Sequence, residues 1–131
     1  MSASKDRIVF RFKSIGKKGI IEKGIWFQIQ GENHYNLAFG DIINDNLEDN
    51  TISNNGDYIK VISTVANAIN YFFKEYPIAT LEINPIDKKR RRFYNTIFRR
   101  RHEEIKTDFV LIGINSNREE LYNKEKQYEK W

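Results

Sequence analysis

Eight cationic side chains lie within a short stretch of the chain, and no acidic residue interrupts them. They are Lys88, Lys89, Arg90, Arg91, Arg92, Arg99, Arg100 and Arg101. Guanidinium groups bind phosphates through paired hydrogen bonds, and the ring of Tyr94 is of the kind that stacks on a nucleic-acid base. We therefore predict an anion-binding surface, with nucleic acid as the first partner and an acidic protein as the second. Its predicted contact residues are Lys88, Lys89, Arg90, Arg92, Tyr94, Arg99 and Arg100.

A second segment, residues 40–57, combines carboxylates with amides and a glycine. Its candidate ligand-binding residues are Asp41, Ser53, Asn54, Asn55, Gly56 and Asp57. Carboxylate and amide oxygens suit hard cations such as Mg²⁺ or Ca²⁺, but their spacing differs from that of the EF-hand calcium loop. Asp57 is also a good helix N-cap, and Asp41 is a good turn cap. We therefore predict capping roles for these two residues and no metal site.

The composition excludes several kinds of active site. Because the chain has no cysteine, a disulfide scaffold, a thiol nucleophile, a thiolate zinc site and an iron–sulfur cluster are excluded. The histidines, His34 and His102, stand outside any recognisable Ser-His-Asp arrangement. We predict no catalytic residue and no cofactor, so that a binding protein is favoured over an enzyme.

The length and the apolar pattern indicate a cytoplasmic single domain. The chain has 131 residues, of which 40% are hydrophobic. No apolar stretch is long enough for a membrane span, and the N-terminus lacks the apolar core of a signal peptide. We expect one domain over residues 1–131, with residues 1–6 and the last few residues disordered, and no membrane partner.

The elements that must position these residues follow from hydrophobic periodicity. Alternating apolar residues predict three antiparallel strands, marked by Ile8, Phe10 and Phe12, by Ile25, Phe27 and Ile29, and by Tyr35, Leu37 and Phe39. An irregular acidic loop over residues 40–57 follows. Helical spacing then predicts a helix that Asp57 caps and Pro77 ends.

The second half of the chain alternates between strand and helix patterns. We predict a strand over residues 78–84, a helix over 88–101, an apolar central strand over 108–114 and an amphipathic helical tail over 119–131. The predicted class is α+β, an antiparallel β-meander followed by α-β-α-β and a C-terminal helix. The strands form a five-stranded mixed sheet with the helices packed on it.

Two motifs carry a resemblance that extends over nearly the whole chain. They are YNLAFGD at residues 35–41 and SNNGD at residues 53–57. With them the sequence resembles a domain-of-unknown-function family of small bacterial proteins, common in Bacteroidota. That resemblance implies the extent of the domain and brings no activity with it.

The order of elements is also similar to the core of the acetyl-coenzyme-A-dependent N-acetyltransferases. In those enzymes a Gly-rich loop and a helix N-terminus hold the pyrophosphate. The resemblance implies that residues 53–57 take the place of that loop. One alternative function is therefore a divergent acyltransferase that binds acyl-CoA.

Three hypotheses follow from these patterns. The first is a small binding protein whose basic helix over residues 88–101 contacts nucleic acid, as would suit a toxin–antitoxin or phage-defence setting. The second is the acyltransferase. The third is a homo-oligomer, in which the acidic loop over residues 40–57 of one copy meets the basic helix of another.

Overall fold

Consecutive antiparallel strands make up the first third of the fold. The structure of the protein is a computed structural model, and it describes residues 2–3, 7–43, 46–48, 58–105 and 110–131. The strands are β1 (Ser2–Ala3), β2 (Arg7–Gly16), β3 (Gly19–Gly31), β4 (His34–Ile43) and β5 (Asn46–Glu48). Each pairs antiparallel with the next, which confirms the predicted meander.

The turns of this meander fix which side chains face the core. Gly19 opens β3 with φ of 88°, and Asn33 precedes β4 with φ of 55°, a region that glycine and asparagine enter most readily. The resulting register places alternate residues on one face, among them Ile25, Phe27 and Phe39, and all three are buried.

Two helices cover that face. They are α1 (Tyr58–Glu75) and α2 (Lys88–Ile105), and α2 extends four residues beyond the predicted end at residue 101. Asp87 caps α2 by accepting a hydrogen bond of 2.8 Å from the Arg90 N–H. The ring of Phe27 stacks on that of Phe72 in α1, with 4.5 Å between centroids, and Phe39 stacks on Phe93 in α2 at 5.1 Å.

The outer edge of β4 is shared by two short strands. β6 (Thr80–Glu82) pairs in parallel with residues 34–36, whereas β5 pairs antiparallel with residues 41–43. The mixed sheet therefore has six strands rather than the predicted five. The predicted irregular loop over residues 40–57 is wrong where it is described, because residues 40–43 belong to β4 and residues 46–48 form β5; residues 44–45 and 49–57 lie outside the described residues.

The last part of the chain differs most from its prediction. β7 (Ile112–Asn115) and β8 (Arg118–Leu121) form a separate hairpin, so the apolar strand is not central in the main sheet. The predicted helix over residues 119–131 is wrong. Ser116 and Asn117 have φ of 50° and 63°, and this pair of left-handed residues makes a tight two-residue turn.

The tail docks as an extended segment. Tyr128 and Trp131 are buried in the core. The side-chain amide of Asn95 in α2 holds the backbone of Tyr128, because it donates to the carbonyl at 2.9 Å and accepts from the N–H at 2.9 Å. The predicted α+β class is thus confirmed, with two helices among the described residues instead of three. Within those same residues, no helix combines the length and apolarity that crossing a membrane requires.

Candidate anion-binding face and a cavity beside it

The cations of α2 divide between an exposed and a buried side of the helix. Five of them are exposed and together form what we call the basic face: Lys88, Lys89, Arg92, Arg99 and Arg100. At 3.6 residues per turn they occupy an arc of roughly 120° around the helix axis. The opposite side of α2 carries Phe93, Ile97 and Phe98, all buried. The structure therefore brings five predicted contact residues together on one surface.

Carboxylates do not neutralise most of this face within the part of the chain that the structure describes. The ion pairs found there involve none of Lys88, Arg92, Arg99 and Arg100. Arg101 lies beside the face and donates a hydrogen bond to Ser63 of α1. Uncompensated like charges on one exposed arc produce a strong local positive field.

Arg90 is the first correction to the predicted surface. Arg90 is only 4% exposed to solvent. The guanidinium Nη1 lies 3.1 Å from the Asp87 carboxylate, and Nε donates to the Phe39 carbonyl at 3.4 Å. The prediction that Arg90 contacts an external anion is therefore wrong. Its position falls in the middle of the apolar stripe of α2, so the helix carries the side chain into the core, where Asp87 compensates its charge.

Tyr94 is the second correction. It is 3% exposed, and its ring packs against Phe93 at 5.5 Å and Trp131 at 6.0 Å between centroids. A base cannot stack on a ring that the core already covers on both sides. The prediction that Tyr94 contacts nucleic acid is therefore wrong, and its role is in packing.

The burial of Tyr94 has a consequence at alkaline pH. Loss of solvation raises the pKa of Tyr94 well above its ordinary value of 10, although the charge of Arg90 opposes this. The unfolded chain then releases the phenol proton above pH 10, whereas the native protein retains it. The stabilisation is therefore complete below that pH and is lost above it, at about 1.4 kcal/mol per pH unit.

We expect Tyr94→Phe to remove this part of the alkaline decline. The measurement is urea unfolding of both proteins on either side of the ordinary tyrosine pKa. Other tyrosines contribute equally to both curves, so only the difference between them is read. Parallel curves for the two proteins would contradict a native Tyr94 that keeps its proton.

Asp41 lies inside β4 and does not cap a turn, which corrects its predicted role. Its Oδ1 lies 2.7 Å from Nζ of Lys23, the residue directly opposite in β3. The two side chains are 4% and 1% exposed, and Nζ lies 5.9 Å from the centroid of the Phe39 ring. A buried ammonium thus occupies the position that a cation would take at Asp41.

The other predicted loop residues are Ser53, Asn54, Asn55, Gly56 and Asp57, and they lie outside the described residues. The described residues hold no group of three or more side chains arranged to bind a metal ion. The structure thus supplies the basic face and leaves the proposed loop site as a prediction.

A cavity of about 480 Å³ lies on another side of the molecule, between β6, the β7–β8 hairpin and the two helices. His34 Nε2 is 3.0 Å from Glu82 Oε2 at its margin. Hydrogen bonds from Asn84 and then His34 lower the pKa of Glu82. Sequence reasoning missed this cavity, because no local pattern shows that the hairpin lies next to β6.

Comparison with known proteins identifies the family to which the chain belongs. A family model described as "Family of unknown function (DUF6934)" matches residues 1–131, so the chain belongs to that family. No curated protein and no solved structure matches the chain. The predicted resemblance to a family of unknown function is thus confirmed, and the likeness to acetyltransferases stays a prediction.

Proposed function

We propose that this member of a family of unknown function binds nucleic acid through the basic face of α2. The observation that supports the proposal is the exposure of five cations on one arc of a helix, four of which have no described carboxylate partner. A row of phosphates is a ligand of complementary charge for such a surface. Each phosphate contact releases condensed counterions, which is a strong driving force at low salt.

The spacing of the face suits a backbone of repeated charges. Lys88 and Arg100 are twelve residues apart, so the face extends over about 18 Å along the helix axis. Lys88, Lys89 and Arg92 form one end, and Arg99 and Arg100 form the other. Contacts with phosphates from both ends hold a strand along the helix without reading its sequence.

An acidic protein is a weaker match to the same surface. Protein interfaces depend on aromatic and aliphatic anchors that are buried at the centre of the contact. In α2 the large apolar side chains Phe93, Tyr94, Ile97 and Phe98 all turn into the core instead. The face therefore offers charge without an apolar anchor, which favours a polyanion.

The test is fluorescence anisotropy with labelled single-stranded RNA and duplex DNA across a range of salt concentrations. Five contacts predict a slope of log affinity against log salt of about −4.5 for duplex DNA. The variant Arg92→Gln/Arg99→Gln/Arg100→Gln leaves two contacts, so its slope should fall to about −1.8. Arg90 stays unchanged, since its replacement would disturb the core.

The matched control removes the same charge elsewhere. Lys13, Lys17 and Lys18 are exposed on the β2–β3 hairpin, so Lys13→Gln/Lys17→Gln/Lys18→Gln gives an equal net charge. We expect this control to keep most of the affinity and the steep slope. Absence of binding at low salt, or equal loss in both variants, would refute the proposal. A mass that rises with protein concentration and falls with salt would instead assign the face to contacts between copies.

A further inference from the structure

The final residues of the described chain lie between β6 and β7 and connect the edges of these two strands. Residues 130–131, which we call the bridging segment, hydrogen-bond to both sides. The Ile114 N–H of β7 donates to the Lys130 carbonyl at 2.9 Å. The Ile83 N–H, directly after β6, donates to the Trp131 carbonyl at 2.8 Å, and the Trp131 N–H donates back to Ile83 at 3.0 Å. The segment runs antiparallel to both neighbours.

Among the residues that the structure describes, the same two edges continue past the bridging segment without a backbone partner. Backbone groups of alternate residues in a strand point to opposite edges. The Thr80 N–H donates to the Asn33 carbonyl, so the backbone of Thr80 faces β4. The backbone of Ile83 faces the other way, toward Trp131. Leu81 alternates with Thr80 and therefore directs its N–H and C=O away from β4, as Ile83 does. On β7, Ile112 shares the edge of Ile114. No hydrogen bond joins the free-edge groups of Leu81 or Ile112 to another described backbone group.

The gap between these edges is one strand wide. Adjacent strands lie about 4.8 Å apart, so a segment that bonds to both edges holds them at about twice that distance. Beyond Trp131 this space is the cavity of about 480 Å³, and both Leu81 and Ile112 line it. Its accessible apolar wall includes the partly buried Phe73, Leu81 and Leu111, with Ile69 and Phe98 buried behind them.

The bridging segment shows which side chains the gap accepts. Trp131 turns inward, where its ring lies 5.3 Å from that of Phe98. Lys130 turns the other way, and its charge favours the ionised form of Glu82. Glu82 and Glu119 also line the cavity; Glu82 is the last residue of β6, directly before Ile83, and Glu119 lies on β8, opposite Ile114 of β7. A strand that continues this alternation places its next outward side chain opposite Glu82, on the same face as Glu119.

We propose that the gap between β6 and β7 binds an extended peptide segment of a partner protein by β-strand addition. Leu81 and Ile112 supply main-chain hydrogen bonds, as sheet edges do when they bind peptides. An aliphatic side chain packs on the partly buried Phe73, Leu81 and Leu111, and the neighbouring Lys or Arg side chain lies beside Glu82, on the face that also carries Glu119. This surface is separate from the basic face and does not depend on nucleic-acid binding.

The test uses the isotope-labelled protein and short blocked peptides, observed by amide NMR. Acetyl-Leu-Lys-Leu-Lys-amide should produce saturable shifts at the amides of Leu81 and Ile112 and slow their hydrogen exchange. Acetyl-Leu-Glu-Leu-Glu-amide should bind at least about tenfold more weakly, because it brings like charges to Glu82 and Glu119. Backbone N-methylation of the lysine peptide should abolish binding, because it removes the donors.

Charge variants of the protein separate a specific site from general attraction. Glu82→Gln/Glu119→Gln should make the two peptides bind equally. Glu22→Gln/Glu125→Gln, which removes the same charge from positions outside the cavity, should preserve the preference. Unchanged amides at Leu81 and Ile112 with millimolar peptide, or equal binding of the N-methylated peptide, would overturn the proposal. It would also be overturned if those amides changed with protein concentration alone, since a second copy would then be the occupant.

Discussion

Replacing Lys23 with methionine should lower the free energy of unfolding by about 3–5 kcal/mol, because it leaves the Asp41 carboxylate buried without its cation. Lys23 Nζ and Asp41 Oδ1 are 2.7 Å apart on adjacent strands, beneath the two helices. A domain of this size is stable by only about 5–15 kcal/mol, so the loss is a large fraction of the total. Urea unfolding measures it.

The double variant Lys23→Met/Asp41→Leu should recover most of that loss. Two apolar side chains of similar volume remove both buried charges, so that neither is left without a partner. Such replacements often change the free energy of unfolding very little. The coupling between the two single variants is then the measure of the pair. Equal losses in the single and double variants would show that packing, rather than the buried charge, decides the cost.

An exposed ion pair provides the control. Arg11 Nη1 and Glu22 Oε1 lie 3.2 Å apart between β2 and β3, and both side chains are 43% exposed. Water screens such a pair, so Arg11→Gln should cost less than about 1 kcal/mol. If Arg11→Gln cost as much as Lys23→Met, burial would not be the reason for either effect.

Gly113→Ala should lower the free energy of unfolding by about 3 kcal/mol, at the upper end for overpacking a core. A methyl group at Gly113 would lie 2.3 Å from Cδ1 of the Tyr128 ring. That ring is buried, and Asn95 fixes the backbone of the same residue, so it has little freedom to move. We expect Tyr128 and the bridging segment to detach from the hairpin.

Gly31→Ala is the matched control for this prediction. Gly31 ends β3, and a methyl group there meets nothing within 4 Å. Its effect on stability should be within about 1 kcal/mol and is expected to be stabilising, since alanine restricts the unfolded chain. Thermal unfolding of both variants, with the tryptophan amide of Trp131 followed by NMR, reports both stability and detachment. An intact Trp131 signal in Gly113→Ala would contradict the expected release.

Local periodicity accounts for most of the elements. The alternation of Ile25, Phe27 and Ile29 predicted a strand, and the helical spacing from Val61 to Phe72 predicted a helix. Both are observed, because each element buries one apolar face, although Ile29 at the end of its strand is exposed. The tail was mispredicted since Tyr128 and Trp131 also fit one side of a helix. Their extended conformation depends on hydrogen bonds with Ile83 and Ile114. These residues are far away in the sequence, so a local pattern cannot predict the pairing.

The candidate site was predictable in part for the same reason. A helical projection of α2 places Arg90 among Phe93, Tyr94 and Ile97, so the burial of Arg90 could have been predicted from the sequence. It was missed because Arg90 is one of five consecutive cations, a pattern that is typical of an exposed surface. The partnership of Lys23 and Asp41 depends on the register between β3 and β4. This register is set by the turn and by long-range packing, and neither can be predicted from Lys23 and Asp41 themselves.

The position of the bridging segment also orders events during synthesis. β2, β3 and β4 are neighbours in sequence, so a nascent chain can pair them soon after they leave the ribosome. Ile83 and Ile114 must wait for residues 130–131, which form contacts of long sequence separation and therefore form them slowly. Until then the outer edges of β6 and β7 stay open to other chains. A variant truncated before residue 130 therefore also leaves the edges at Ile83 and Ile114 open to pairing with other chains.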